Sequence, residues 1–243
     1  MVNLILFVDF QFTAYGKIGR VTIRYFYNSG SAVWLAVTDP DGQIMDFSLN
    51  AEQHALQETA RRFAQKELPT HAKAIEENNI PPSLELRKRF AEMGFMGINL
   101  PTNYGGAGLS HFEAVLVLEE LAKISVAVAF PVFEASFGPA LAIAHFAPEA
   151  LRQRILPKVC SGEMVVAVSM SEPQAGTALT DLRTTGKKNG TKIILNGNKR
   201  WCSGGGHADA YVVYCRLSDD PGAKGIGAVL VEKGTDGFTF GAP

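Results

Sequence analysis

Apolar positions follow one period over residues 48–163 of this chain and another afterwards. From residue 48 the spacing is helical: Leu56, Ala60, Phe63 and Ala64 fall on one face, with Asn50 placed to cap. Pro69 predicts the end of that helix, with a second short one over 72–77. Pro81-Pro82-Ser83 opens another, on which Leu84, Arg87 and Phe90 are helically spaced up to Gly94. A loop over 100–109 carries Gly105, Gly106 and Gly108, residues that tolerate positive φ. Ser110 and Glu113 form a capping-box pair ahead of Val115, Leu118 and Leu121. The stretch 125–146 is almost wholly apolar, which predicts a buried, mostly helical segment. Pro131 and Pro139 predict a kink or break in it, and Pro148 starts a last helix ending near Cys160-Ser-Gly162.

Beyond residue 163 the pattern turns to β-branched and aromatic runs at 164–168, 192–195, 211–215 and 226–231. Gly186-Lys-Lys-Asn-Gly190 and Ser218-Asp-Asp-Pro-Gly222 read as turns between them. A helical block followed by a strand block predicts an α+β chain. The expected architecture is an N-terminal all-α helical domain over 45–163 and an incomplete antiparallel β-barrel or β-sandwich over 164–243. A strand-like patch at 238–240 is the last feature, and the β block reads as unfinished. Residues 1–44 differ from both blocks. They are dense in aromatics and show β-like patches at 4–12, 21–27 and 32–37, so they read as an extension foreign to the domain, or as an atypical arm.

With 47% hydrophobic and 19% charged residues, a sizeable core is possible. A formal net charge of -1 gives no basic face for nucleic acid. Cys160, Cys202 and Cys215 lack metal-ligand spacing, as do the five histidines, so no metal site is expected. Sparse cysteines suit a reducing compartment. No uninterrupted apolar run reaches the roughly 20 residues of a membrane span, so no membrane partner is expected. The start lacks a basic n-region, and Asp9 interrupts its apolar run, so no clear targeting segment is visible.

Two polar-tipped strand ends carry the candidate chemistry: Ser171-Glu-Pro-Gln-Ala-Gly-Thr177 and Trp201-Cys-Ser203. Together with Met45-Asp-Phe-Ser-Leu-Asn50 and Pro101-Thr-Asn-Tyr-Gly-Gly-Ala-Gly108, in this order and helix-then-strand context, they resemble the acyl-CoA dehydrogenase family over residues 45–243. The resemblance implies a flavin, FAD, lying along the β domain. It implies cofactor-binding roles for Met170, Ser171, Gly176, Thr177, Trp201 and Ser203. Ser171 would bond the pyrimidine side of the flavin, and Gly176 and Thr177 would let the backbone approach the ligand closely, with exposed N–H groups suited to phosphate or pantetheine contact. The Trp201 indole would pack on the ring while Ser203 reaches N5. Ala178 stands where the family has Asp, which predicts a looser loop. On residue type alone, Ser171 reads as a turn-capping hydroxyl, Gly176 as an ordinary turn residue and Trp201 as a core aromatic.

Thr177 and Glu134 are the candidate substrate contacts. The resemblance places Glu134 in the acyl-chain region; by itself it reads as a carboxylate facing a domain interface or solvent. Residues 203–216, 221–226 and 231–235 look most like the isobutyryl-CoA dehydrogenase, short-branched-chain branch. The implied parent reaction is oxidation of an acyl-CoA to the 2,3-enoyl-CoA, with electrons passed to an electron-transfer flavoprotein. The implied assembly is a homo-oligomer, a tetramer or dimer, in the bacterial cytoplasm or mitochondrial matrix. The family's catalytic Glu belongs to a C-terminal helical domain absent here, so no residue of this chain is assigned as catalytic. The chain by itself is expected to be inactive and to bind FAD weakly. A flavin-dependent monooxygenase of the same fold, or a non-catalytic binding module, are the alternatives.

Overall fold

The computed structural model describes residues 5–14, 17–28, 31–38 and 48–241, the first three stretches by backbone alone. Met45, the first residue of the expected helical domain, lies outside the described residues. The chain divides into two compact units, Met1–Asn50 and Ala51–Pro243. In the first, β1 (Ile5–Ala14), β2 (Lys17–Asn28) and β3 (Ser31–Thr38) form an antiparallel meander, with Ile5 opposite Phe26 and Thr22 opposite Thr38. A register shift falls between Phe26 and Asn28.

The second unit opens with α1 (Ala51–Asn78), one unbroken helix. The expected stop at Pro69 does not occur: the proline sits inside it, and the two predicted helices are one. Proline forfeits one intrahelical bond. The buried face Ala60, Phe63, Ala64 and Leu68 lies just ahead of it and holds the helix on its neighbours. Next come α2 (Leu84–Glu92) and α3 (His111–Ala122). Ser83 caps α2 through its side chain, and Ser110 and Glu113 form the predicted capping box. Phe63 meets the Phe90 and Phe95 rings at 5.7 and 5.6 Å, the centre of the helical core. A buried carboxylate clamps α1 to α3: Glu120 accepts from Arg61 Nε (3.2 Å), Arg61 Nη2 (3.1 Å) and Lys123 Nζ (2.9 Å).

The apolar stretch forms α4 (Val126–Ser136) and α5 (Pro139–Phe146), followed by α6 (Glu149–Cys160). The predicted break falls at Phe137-Gly138, with Pro139 opening α5, while Pro131 stays inside α4. Length and composition alone would let Val126–Phe146 cross a membrane, although Glu134 interrupts it. In this fold Val128, Val132, Ala140 and Ile143 pack into the helical core.

The sheet contains β4 (Val166–Ser169), β5 (Thr185–Asn189), β6 (Lys192–Asn196), β7 (Ala210–Arg216) and β8 (Ile226–Glu232). It is mixed rather than antiparallel throughout. β4 runs parallel to β7, with Val166 opposite Ala210, whereas β5–β6 and β7–β8 are antiparallel. The physical reason is the long excursion between β4 and β7, which includes the β5–β6 hairpin and can bring the chain back in the same direction. Alternation along β7 divides the core. Ala210 and Val212 continue the helical core, and Tyr211 and Val213 join Ala167, Ala208 and Val231 on the opposite face.

Two local expectations fail. Gly186, read as a turn residue, lies in β5; a Cβ there would stand 2.7 Å from Leu217 and 2.9 Å from Cys215, so the glycine serves close packing. Residues 238–240 form no strand. Phe238 and Phe240 instead pack against Tyr211, edge-on and tilted, with centroids at 5.1 and 5.2 Å.

Candidate functional site

Met170 and Ser171 follow directly on β4, so the C-terminal end of that short strand fixes where the first motif begins. The chain then turns tightly: Glu172 N–H donates to Ala175 O (2.8 Å), and Ala175 N–H donates back (3.2 Å). Ala175 is buried under the turn, while Gly176 and Thr177 stand exposed beyond it. A Cβ at Gly176 would meet nothing within 4 Å, which leaves open space above this backbone. Ala178 leads into a short 3₁₀ turn, Leu179–Asp181, tied down by the Arg216 guanidinium through the carbonyls of Thr180 and Leu182 (3.1 Å to the latter).

The second motif arrives beside the first. Arg200 N–H donates to Ser171 O at 2.9 Å, so residues far apart in sequence become neighbours. Trp201 is 78% exposed, and its φ is +58°. A bulky side chain in the left-handed region is strained by about 1–3 kcal/mol. An exposed indole also forgoes burial of its large apolar surface. The core-aromatic alternative for Trp201 is thereby overturned. The Arg200 guanidinium lies 4.2 Å from the centre of its ring. Ser203 is exposed, and Gly204 behind it is a packing glycine, since a Cβ would stand 2.6 Å from Ala167 Cβ. The Gly204 carbonyl accepts the Tyr211 hydroxyl (2.9 Å), anchoring the loop to β7.

Sequence reasoning missed the residue at the centre of this arrangement. The Glu172 carboxylate is buried and takes four donors: Arg183 N–H (2.6 Å), Thr184 N–H (2.9 Å), Gln174 Nε2 (2.8 Å) and Lys199 Nζ (2.8 Å). Lys199 Nζ also donates to Met170 O (2.8 Å). Burial pushes the Glu172 pKa up, but Lys199, Thr184 and Arg183 outweigh it and hold it at about 2. A glutamate between serine and proline reads as a solvated loop residue; one signal was the lysine two residues before the tryptophan, which supplies the countercharge.

Glu134 interacts electrostatically with Cys202 of the second motif. It is 4% exposed, which excludes the solvent-facing alternative, and its Oε2 has no hydrogen-bond partner among the described residues. Burial alone pushes its pKa up to about 7. The carboxyl borders a void lined by Met96, Pro131, Val159, Met164 and Val166, between the helices and β4. Burial raises the Cys202 thiol pKa; a backbone hydrogen bond at Gly204 opposes that shift, Glu134 adds to it, and the Ser169 side chain opposes it. So the structure brings Met170, Ser171, Trp201 and Ser203 to one end of the sheet, while Glu134 is linked to them through its electrostatic interaction with Cys202. Thr177 and Gly176 join through the 172–175 turn.

Two family models match the chain. Residues 50–163 match the family model "Acyl-CoA dehydrogenase, N-terminal domain", and residues 167–243 match "Acyl-CoA dehydrogenase, middle domain". The chain is 38% identical over 194 residues to isovaleryl-CoA dehydrogenase, mitochondrial, of Pongo abelii, covering 79% of this chain and 46% of that protein. It is 35% identical over 195 residues to isobutyryl-CoA dehydrogenase, mitochondrial, of Bos taurus, covering 79% and 46%. Among solved structures, the FAD complex of PigA superposes with a TM-score of 0.73 at 29% identity, covering 79% of this chain and 51% of that one. The chain thus spans about half the length of these relatives. With the helical domain, the partial mixed sheet and both family models in agreement, the chain belongs to the acyl-CoA dehydrogenase family.

Proposed function

We propose that this chain is the part of an acyl-CoA dehydrogenase that forms one wall of the FAD site. The exposed, backbone-strained Trp201, held beside Ser171 by the Arg200 amide, is the observation that carries the reading. A flat, solvent-exposed ring with the Arg200 guanidinium over one face, and with Ser171 and Ser203 nearby, suits a planar heteroaromatic ligand with polar edges. The open space above Gly176 and Thr177 suits the approach of a larger group to the backbone. In this reading Met170, Ser171, Gly176, Thr177, Trp201 and Ser203 hold the cofactor, and Thr177 and Glu134 face the acyl-CoA. When bound, FAD supplies the hydride acceptor for α,β-dehydrogenation of a thioester. This chain's residues orient and shield it, and the proton-abstracting base lies outside residues 1–243.

The identity to branched-chain dehydrogenases supports a short or branched acyl substrate. An electron-transfer flavoprotein as acceptor and a homo-oligomeric whole enzyme follow from the same family reading. Residues 1–44 stand outside the family domain, supported by the match that begins at residue 50 and by the separate first unit. A reducing compartment suits the free thiols Cys160, Cys202 and Cys215.

Titration with FAD, followed by flavin fluorescence, tests the reading. This chain by itself should bind weakly or not at all, and the chain extended by a family C-terminal helical domain should bind stoichiometrically. Failure of the extended protein to bind FAD would remove the proposal.

A further inference from the structure

Glu172 and Lys199 sit 27 positions apart, and both side chains are buried or nearly so. Glu172 has 1% of its side chain exposed and Lys199 has 10%. An ionised carboxylate has about four acceptor positions, and all four are filled here. Two of the donors are the backbone N–H groups of Arg183 and Thr184, at the entry to β5. A third is the ammonium of Lys199, which also holds the Met170 carbonyl at the exit of β4. The next residue, Arg200, donates its N–H to Ser171 O. Three chain segments, 170–172, 183–184 and 199–200, therefore converge on one ion pair.

We propose that the Glu172–Lys199 pair is a positioning device that sets the register of Trp201-Cys-Ser203 against Met170-Ser171. It rests on the cofactor reading for its purpose, but not for its geometry. Trp201 needs such a device, because a residue at φ +58° persists only where its surroundings over-determine it. The segment 197–209 contains no strand that could provide a ladder. Burying two charges is a poor way to gain stability alone, since a well-packed apolar pair of similar volume does as well or better. What the pair adds is direction. The lysine must find both the Glu172 carboxylate and the Met170 carbonyl, and a slip of one residue would leave a buried charge unmatched.

The test uses this chain without flavin. Trp34 is the other tryptophan, so in a Trp34→Phe background Trp201 is the single indole. Near-ultraviolet circular dichroism then reads its fixed environment, and far-ultraviolet melting reads the fold. Lys199→Met should lose at least half of the indole band while the chain still melts cooperatively, and Lys199→Arg should keep most of the band. A wild-type band in a folded Lys199→Met protein would mean that the pair merely stabilises, and would overturn the proposal. If Lys199→Met does not fold, the Glu172→Gln/Lys199→Met double variant, which leaves no unpaired charge, replaces it under the same criterion. Amide exchange of the wild-type chain gives an arm free of variants. The Arg183, Thr184 and Arg200 amides should open with one common protection factor, and independent opening overturns the proposal. A register that holds in a protein failing to bind FAD when extended would sink the cofactor reading and leave this one standing.

Discussion

Gly138 makes room for the Glu134 carboxylate: a Cβ built at residue 138 would stand 2.5 Å from Glu134 Oε2. The carboxyl is thus folded back against the C-terminal end of its own helix and buried, with Oε2 lacking a hydrogen-bond partner among the described residues. Its pKa is raised to about 7 by burial. The folded state therefore binds the proton more tightly than the unfolded chain, and stability falls as pH rises from about 4.5 to 7. The penalty is fully present above pH 7 and is of the order of ~3 kcal/mol. Glu134→Gln should be more stable than wild type at pH 8 and close to it at pH 4.5. Urea unfolding at both values checks this, and an equal difference at both would show that Glu134 carries no such penalty.

A Gly138→Ala substitution tests the same contact from the other side. The added methyl must displace the carboxyl or the α4 terminus, which costs about 1–3 kcal/mol for overpacking. In the Glu134→Gln background the amide still fills the space, whereas Glu134→Ala should relieve most of the cost. Thermal melts of the single and double variants give the coupling directly.

Glu120 should behave in the opposite sense to Glu134. Burial raises its pKa, but the Arg61 and Lys123 bonds win and lower it overall. Its contribution to stability is present above the ordinary carboxylate range and is lost as pH falls through the lowered value. Arg61 is itself 40% exposed, so solvent screening limits the effect. Glu120→Gln should cost about 1–3 kcal/mol at pH 7 and less at low pH, read by urea unfolding.

Much of the helical domain is legible in the sequence because its signals are local. Ser110 and Glu113 cap within one turn, and Gly138-Pro139 breaks the apolar run within two residues. Pro69 misleads because packing on one face outweighs the loss of a single intrahelical bond. Gly186 misleads because glycine marks both turns and close approaches, and the clash with Leu217 and Cys215 appears only once the sheet is assembled. The parallel pairing of β4 with β7 is invisible in a run of apolar residues, which has the same pattern in either direction. At the site, the two motifs are readable, but the Glu172–Lys199 link between them joins distant residues whose types look solvated.

Residues 1–44 offer a separate check. The first unit, Met1–Asn50, clusters apart from the remainder, and the family match starts at residue 50. A chain starting at Met45 should therefore keep its far-ultraviolet spectrum above 200 nm in the helical bands and its midpoint of thermal unfolding. A clear drop in the midpoint would show that the first strands support the helical domain.

Ser203 and Trp201 should fail in different ways in a protein extended by its C-terminal domain. Ser203 is exposed on its loop, while Gly204 next to it is locked against Ala167 and Tyr211. Ser203→Ala therefore removes one hydroxyl with little loss of volume and no loosening of the loop. If that hydroxyl faces flavin N5, the substitution removes a donor aimed where negative charge develops. A preorganised donor of that kind is worth on the order of 10²-fold in rate, and less at a partly solvated edge. Flavin reduction by acyl-CoA should slow accordingly while FAD affinity changes little. Trp201→Ala removes the exposed ring while keeping the Cβ, and with it the strained φ, so FAD should bind more weakly and its fluorescence should be quenched less. Stopped-flow reduction and FAD titration separate the two effects. A wild-type reduction rate in Ser203→Ala would place the hydroxyl away from N5 and leave Trp201 as the sole flavin contact of that motif.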